Sequence, residues 1–285
     1  MPSHTMKHIA FFISGRMTCY EHLVSLLETL SSEYDISLFM SINGDRGDEY
    51  HVQAERALEK WLKVSHYERF TVPNEIKNNT HPETLRQIID GESVPYTLMS
   101  CFYNDSKAFQ LIESYSVQNG VHFDIVCKTR ADLYFTNDVL NGSFAIPFDD
   151  VTDTDVILYS AIALNEIYMW GDRRAPRMVC DAFAYGNMDV MRIYCKTYDF
   201  TLQTNRERNG YYRLNYEPTL TESICNRAIT DGDNYLSVIE MFENAPVVVK
   251  YINCPYELNP DRLKRDGHLV EIQEYRSWRL SRYKV

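Results

Sequence analysis

The sequence predicts an α/β fold: a mixed, mostly parallel sheet flanked by helices, forming a single domain with a C-terminal helical extension. Three observations carry this expectation. Short apolar runs of strand length alternate with stretches of helical spacing. The early apolar runs are separated by helical stretches instead of hairpin turns, which is what parallel neighbours require. The chain of 285 residues is 45% hydrophobic and 24% charged, so it can bury a full core without staples.

The elements follow in order. His8–Ile13 is a buried parallel strand, and Ser14-Gly15-Arg16 is a tight loop after it. Cys19–Leu30 has Leu23, Leu26, Leu27 and Leu30 at helical spacing, and Asp35–Ile42 is a second strand ending in Asn43-Gly44. Glu49–Val64 reads as a helix with Ala54, Ala57, Leu58, Trp61 and Leu62 apolar, and Tyr67–Val72 as a third strand. Residues 74–95 are polar and irregular around a short helix at Pro82–Ile89. Thr97–Asn119 is a long helix, with Gly120 placed to cap its end. Phe123–Thr129 is the next strand, closed by Arg130–Phe135. Val156–Ala163 is a further strand, continued at Ile167–Trp170; Met188–Tyr198 and Glu222–Ile229 are helices. Val247–Ile252 is a late strand and Tyr275–Tyr283 a last helix.

Charge and composition exclude several classes. The net charge of −11 opposes general nucleic-acid binding, which needs a basic field, and attraction to anionic lipid. The C-terminus is the exception: Arg262, Lys264, Arg265, Arg276, Arg279, Arg282 and Lys284 form either a solvated helix face or a patch for an anionic partner. Seven cysteines with no CxxC pair fit free thiols in a reducing compartment. Met1–Lys7 lacks the apolar core of a signal peptide, and no stretch approaches the ~20 apolar residues of a membrane span. A cytoplasmic protein without an anchor is expected. The phosphate-binding GxxxxGK[ST] loop, GxGxxG after the first strand, HExxH and GxSxG are all absent.

What remains is charge at strand ends, where open α/β sheets bind their ligands. Phe123–Phe135 reads FDIVCKTRADLYF, an apolar strand ending in Lys128, Arg130 and Asp132. A carboxylate there costs desolvation unless it is paired or bound to a cation. Two readings stand on local chemistry. In one, Lys128 or Arg130 pairs with Asp132. In the other, Asp132 holds Mg2+ or Mn2+ against a diphosphate.

This stretch resembles the region around the DxD motif of GT-A glycosyltransferases. It is more similar to glycosyltransferase-like proteins of large DNA viruses, algae and bacteria, which carry an R-x-D-L version, here Arg130-Ala131-Asp132-Leu133. Ser14-Gly15-Arg16 fits the first nucleotide-contacting loop. Met99, Asn104 and Lys107 lie on the helix before the motif, and Asp181–Asn187 resembles the D-x-F-x-x-G segment of the acceptor side. The resemblance spans residues 8–230. It departs from DxD at the first acidic position, which is Arg130, leaving Asp132 as the one carboxylate ligand.

The resemblance implies a GT-A-like (Rossmann-like) catalytic domain over 1–255, with a nucleotide-sugar half at 1–140, an acceptor half at 141–255 and an extension at 256–285. It implies transfer of a hexose or pentose from a UDP- or GDP-linked sugar to a glycan or glycoprotein acceptor, assisted by Mn2+ or Mg2+. Donor contacts then fall on Ser14, Gly15, Arg16, Asn43, Lys107, Lys128, Arg130 and Asp132. Metal ligands fall on Asp132 and the late His268. Asp153-Thr154-Asp155 and Asp231-Gly232-Asp233 match DxD formally, but the first precedes its strand and the second reads as a turn. Asp181, with Glu217 and Glu222 as weaker candidates, is the carboxylate to deprotonate an acceptor hydroxyl or stabilise an oxocarbenium-like state. Tyr211, Tyr212 and Tyr216 offer aromatic faces for sugar stacking. Two other functions remain open: a sugar nucleotidyltransferase, for which Ser14-Gly15-Arg16 is too sparse a loop, and a non-catalytic glycan- or protein-binding domain.

Overall fold

The computed structural model describes residues 6–15, 17, 20–73, 94–161, 179, 182–207, 246–252 and 256–258. The described residues form strands β1 (His8–Gly15), β2 (Asp35–Ile42), β3 (Leu62–Tyr67), β4 (Ile125–Thr129), β5 (Leu133–Phe135), β6 (Ile157–Ala161), β7 (Phe183–Gly186), β8 (Val248–Ile252) and β9 (Tyr256–Leu258). The helices are α1 (Glu21–Leu30), α2 (Glu49–Leu58), α3 (Val94–Asn119), α4 (Asn137–Leu140), α5 (Met188–Cys195) and α6 (Thr197–Glu207).

Seven strands form one sheet in the order β3-β2-β1-β4-β7-β6-β8. β1 pairs in parallel with both β2 and β4, and β2 with β3. β7 is antiparallel to β4 and to β6, while β6 and β8 are parallel, so β7 alone runs against the rest. This is the mixed, mostly parallel sheet that the sequence predicts. β5 and β9 make a small antiparallel pair, with Leu133 opposite Leu258. The strand that follows Asp132 is therefore tied to Tyr256–Leu258, far along the chain.

Both faces of the sheet are covered, which is why its strands are apolar in unbroken runs instead of alternating. One face carries Ile9, Phe11 and Ile13 of β1 against Leu23, Leu26 and Leu27 of α1. The other carries Ala10 and Phe12 of β1 and Phe39 of β2 against Phe102, Phe109 and Ile112 of α3 and Val190 and Tyr194 of α5. Among the described residues, no helix is long and apolar enough to cross a membrane.

Three boundaries differ from expectation. The helix expected at 49–64 stops at Leu58, and the third strand occupies 62–67 instead of 67–72. Trp61 N–H closes the helix end onto Leu58 O, and Trp61 O then accepts from Leu38 N–H of β2, so the sheet captures the chain where helical spacing alone continues. Ser14 and Gly15 extend β1 instead of forming a loop after it. The helix expected at 188–198 breaks at Lys196 into α5 and α6. The elements expected at 82–89, 167–170, 222–229 and 275–283 lie outside the described residues.

Candidate active site

Parallel pairing fixes which residues meet at the carboxyl edge of the sheet. Ile13 of β1 lies opposite Thr129 of β4, so β1 runs on through Ser14 and Gly15 beyond the point where β4 ends and Arg130 follows. Gly15 pairs with Ile42 of β2, and Asn43 N–H donates to Gly15 O at 3.3 Å. Three strand ends thus bring Ser14-Gly15, Asn43-Gly44 and Arg130–Asp132 into one row. Gly15 has φ +96°, a conformation that L side chains rarely adopt, and a Cβ there would meet nothing within 4 Å, so glycine is required by the backbone and not by crowding.

The centre of this row is an ion pair made within the motif. Arg130 Nε donates to Asp132 Oδ1 at 2.8 Å, and Arg130 Nη2 donates to Asp132 Oδ2 at 2.8 Å. Two parallel bonds of this kind fix the guanidinium plane as well as its distance. The side chains keep only 19% and 9% of their surface exposed, so the pair sits at the rim of the core and is weakly screened. Of the two readings open for Asp132, the structure shows the pairing with Arg130.

Lys128 does not join this row. It lies on the same face of β4 as Val126, is 1% exposed, and makes a salt bridge with Asp105 of α3 beneath that helix. Its ammonium also stands 5.7 Å from the centre of the Tyr194 ring of α5. In the same layer Ser41 Oγ donates to Asn104 Oδ1 at 3.0 Å, and Asn104 Nδ2 donates to Ser100 O at 2.7 Å. Burial, with the nearby Asp105 adding to it, pushes the Cys195 thiol well above its ordinary value.

Asn43 is a brace at this edge. Its Nδ2 donates to Ser100 Oγ of α3 at 2.6 Å, and its Oδ1 accepts from Phe70 N–H at 2.9 Å. It thereby ties the end of β2 to α3 and to the segment after β3. Lys107 lies on the β3 side, its ammonium 5.3 Å from the Tyr103 ring centre, while Tyr103 OH donates to Glu68 Oε2 at 2.6 Å.

Two residues beside the row escaped the sequence reading. His22, in the first turn of α1, packs on Tyr134 of β5 with ring centres 3.5 Å apart. Burial lowers the His22 pKa, against a smaller opposing effect of Glu21. α1 starts here without a side-chain cap at Tyr20, leaving the helix its positive N-terminal end. The available signal was positional: a histidine one turn into the helix after the first strand, and an aromatic two residues beyond Asp132.

Arg16, Asp181, Glu217, Glu222 and His268 lie outside the described residues, as do Asp231–Asp233 and the tyrosines at 211, 212 and 216. The other formal DxD is at the opposite edge, where Asp155 Oδ2 accepts from Thr152 N–H at 3.1 Å. Among the described residues, that edge also groups His122, Asp124 and Asp153. Asp124 Oδ2 there already accepts from His8 N–H at 2.7 Å, closing the start of β1. The adjoining cavity, about 210 Å3 and lined in part by Glu113, His122, Met188 and Arg192, is smaller than the ~300 Å3 at which ligand pockets begin.

No protein-family model matches the chain, and no curated protein matches it. Solved structures to which it is similar include core-mannan synthase A from Aspergillus fumigatus in its Mn/GDP form, at 14% identity and a TM-score of 0.40, covering 78% of this chain and 70% of that one. A glycosyltransferase involved in glycosylation of the major capsid of PBCV-1 is similar at 10% identity and a TM-score of 0.34, covering 86% and 82%. Mouse xyloside xylosyltransferase 1, in its apo form, is similar at 12% identity and a TM-score of 0.37, covering 87% and 85%.

Proposed function

We propose that the carboxyl edge of β1, β2 and β4 binds a nucleotide sugar, UDP- or GDP-linked, and that the protein is a glycosyltransferase acting on a glycan or glycoprotein acceptor. The observation that carries this reading is the forked Arg130–Asp132 pair beside Gly15. It fixes a permanent cation at a strand end, next to backbone that a ligand can approach closely. Ser14 and Gly15 meet the nucleotide, with Arg16 next in sequence to take a phosphate. The N-terminal end of α1 adds positive potential there. Asn43, Lys128 and Asp105 hold the frame: Asn43 sets the gap between β2 and α3, and the buried pair locks β4 beneath α3. His22 and Tyr134 give the row an aromatic wall against which a base or sugar ring packs. Lys107 serves the outer rim on the β3 side. Asp181, with Glu217 and Glu222 as alternatives, is the acceptor-side carboxylate, deprotonating the acceptor hydroxyl or balancing positive charge on the anomeric carbon.

The resemblance also implies Mn2+ or Mg2+ at Asp132, with His268 as a further ligand. Such an ion takes oxygen ligands at close to 2 Å and keeps several waters. Both Asp132 oxygens accept from the Arg130 guanidinium, so a dication there would face a fixed positive group a bond length behind its ligand. Among the described residues Asp132 is the one carboxylate of that proposed ligand set, His268 lies outside them, and no catalytic step is drawn through a metal.

The same forked pair favours a second reading, a non-catalytic glycan- or protein-binding domain, because a carboxylate engaged by its own neighbour is withdrawn from metal chemistry. Thermal shifts with UDP-, GDP-, CMP- and ADP-linked sugars, followed by release of free sugar from any that bind, separate the two. One nucleotide class should stabilise the chain, by about 2.7 kcal/mol at a hundredfold excess over its Kd, and Asp132→Ala should weaken that shift. No shift with any donor and no sugar release would favour the binding domain.

A further inference from the structure

We propose that His122, Asp124 and Asp153 bind one divalent transition-metal ion, Zn2+ or a chemically equivalent cation, which clips the amino edge of the main sheet. The site shares no residue with the donor edge, so it stands or falls independently of the nucleotide-sugar reading. Among the described residues these three are the one group of histidine, cysteine and carboxylate side chains that brings a ligand atom from each within 4.8 Å of the others. His122 and Asp124 stand two positions apart just before β4, and Asp153 lies in the turn before β6. The sheet order there is β4-β7-β6, so an ion held by all three residues ties two strands across the antiparallel one between them.

The spacing is that of ligands around an ion. His122 Nε2 and Asp153 Oδ1 are 3.5 Å apart, beyond the ~3.2 Å limit of an ordinary N–H···O bond. Two atoms bonded at about 2.1 Å to a tetrahedral Zn2+ stand about 3.4 Å from each other. Both side chains are largely exposed, so their direct pairing contributes little, while two carboxylates this close repel unless a cation lies between them. The carboxylates are also held in place. Asp124 Oδ2 accepts from His8 N–H at 2.7 Å, and Asp124 N–H donates to His8 O at 2.9 Å. A carboxylate has lone pairs enough to accept that bond and bind a cation, and a hydrogen bond behind a ligand orients it. Asp153 sits in a turn whose backbone is tied by Asn187 Nδ2, which donates to Thr152 O, Asp153 O and Asp155 O. Binding therefore orders little that is not already fixed. The imidazole selects the class of metal: one nitrogen and two carboxylates suit Zn2+ or Co2+, whereas Mg2+ and Ca2+ take oxygen ligands. His122 also lines the adjoining cavity of about 210 Å3, with room for the waters that complete the shell.

The test uses the full chain, stripped with EDTA and dialysed into chelator-free buffer, titrated calorimetrically with Zn2+ and separately with Mg2+. His122→Ala and Asp153→Asn are the variants, because both side chains are exposed and neither holds the core. Thiols and histidines elsewhere contribute equally to all three proteins, so the difference between them isolates this site. Wild type should bind one equivalent of Zn2+ more than either variant, and that equivalent at least tenfold more tightly than Mg2+. Co2+ in place of Zn2+ should give a visible d–d absorption that both variants lose. At a hundredfold excess over its Kd, Zn2+ should raise the Tm of wild type by about 5 °C more than that of either variant. Equal Zn2+ stoichiometry in wild type and either variant, no Zn2+ binding by wild type, or Mg2+ bound as tightly as Zn2+ overturns the proposal.

Discussion

At the residue scale, two cations two positions apart in sequence have opposite tasks. Lys128 is inside the strand and almost fully buried, so its charge requires a partner in the core; Arg130 is past the strand end and reaches solvent. The sequence shows that Asp132 needs a cation or a metal, but offers Lys128 and Arg130 equally. It cannot show that Asp105, on a helix 23 residues earlier, takes Lys128. That choice is made by the packing of α3 on the sheet. A prediction follows from burial. Removing one member of a buried pair strands the other, at about 3–5 kcal/mol. Lys128→Met and Asp105→Leu should each cost that much in chemical denaturation, while the double variant should recover most of the loss. Additive losses in the double variant would show that the pair does not act as a unit.

At the scale of elements, the strands and helices with one clear period are legible and the junctions are not. β2 occupies Asp35–Ile42 as expected, and α3 ends at Gly120, whose φ of +63° provides the left-handed cap. The α2–β3 junction misleads because Trp61 and Leu62 continue the helical spacing while their backbone is taken by β2. The Asp181–Asn187 segment is read from resemblance as an acceptor wall, yet its last residue has an architectural task. Asn187 Oδ1 accepts from Val190 N–H at 3.0 Å, capping α5, and its Nδ2 donates to Thr152 O, Asp153 O and Asp155 O at 3.0, 3.2 and 2.7 Å. Asn187→Ala loses the cap and leaves the turn before β6 untied. It should destabilise the protein by about 2 kcal/mol, at the upper end for N-caps, with Asn187→Asp restoring the cap but not the turn. Unchanged stability in Asn187→Ala would contradict this role.

At the scale of the molecule, the topology explains why the site is where it is. Six strands of the main sheet run one way and β7 runs against them, so the carboxyl ends of β1, β2 and β4 lie along one edge. This much was legible, because alternating strands and helices imply parallel pairing and parallel pairing implies a shared carboxyl edge. The row of Gly15, Asn43 and Arg130–Asp132 was legible for the same reason. The wall of His22 and Tyr134 was not, since their meeting depends on how α1 packs beside β5. The opposite edge, with His122, Asp124 and Asp153, is exposed and partly spent on closing the start of β1.

The central claim is that the donor binds at the carboxyl edge, and amide hydrogen exchange with and without saturating UDP-glucose or GDP-mannose tests it most directly. The account predicts slower exchange in segments 13–15, 43–44 and 129–134, with segments 122–124 and 152–156 at the opposite edge unchanged. Protection confined to 122–124 and 152–156, or none at 129–134 when calorimetry shows the donor bound, would contradict it.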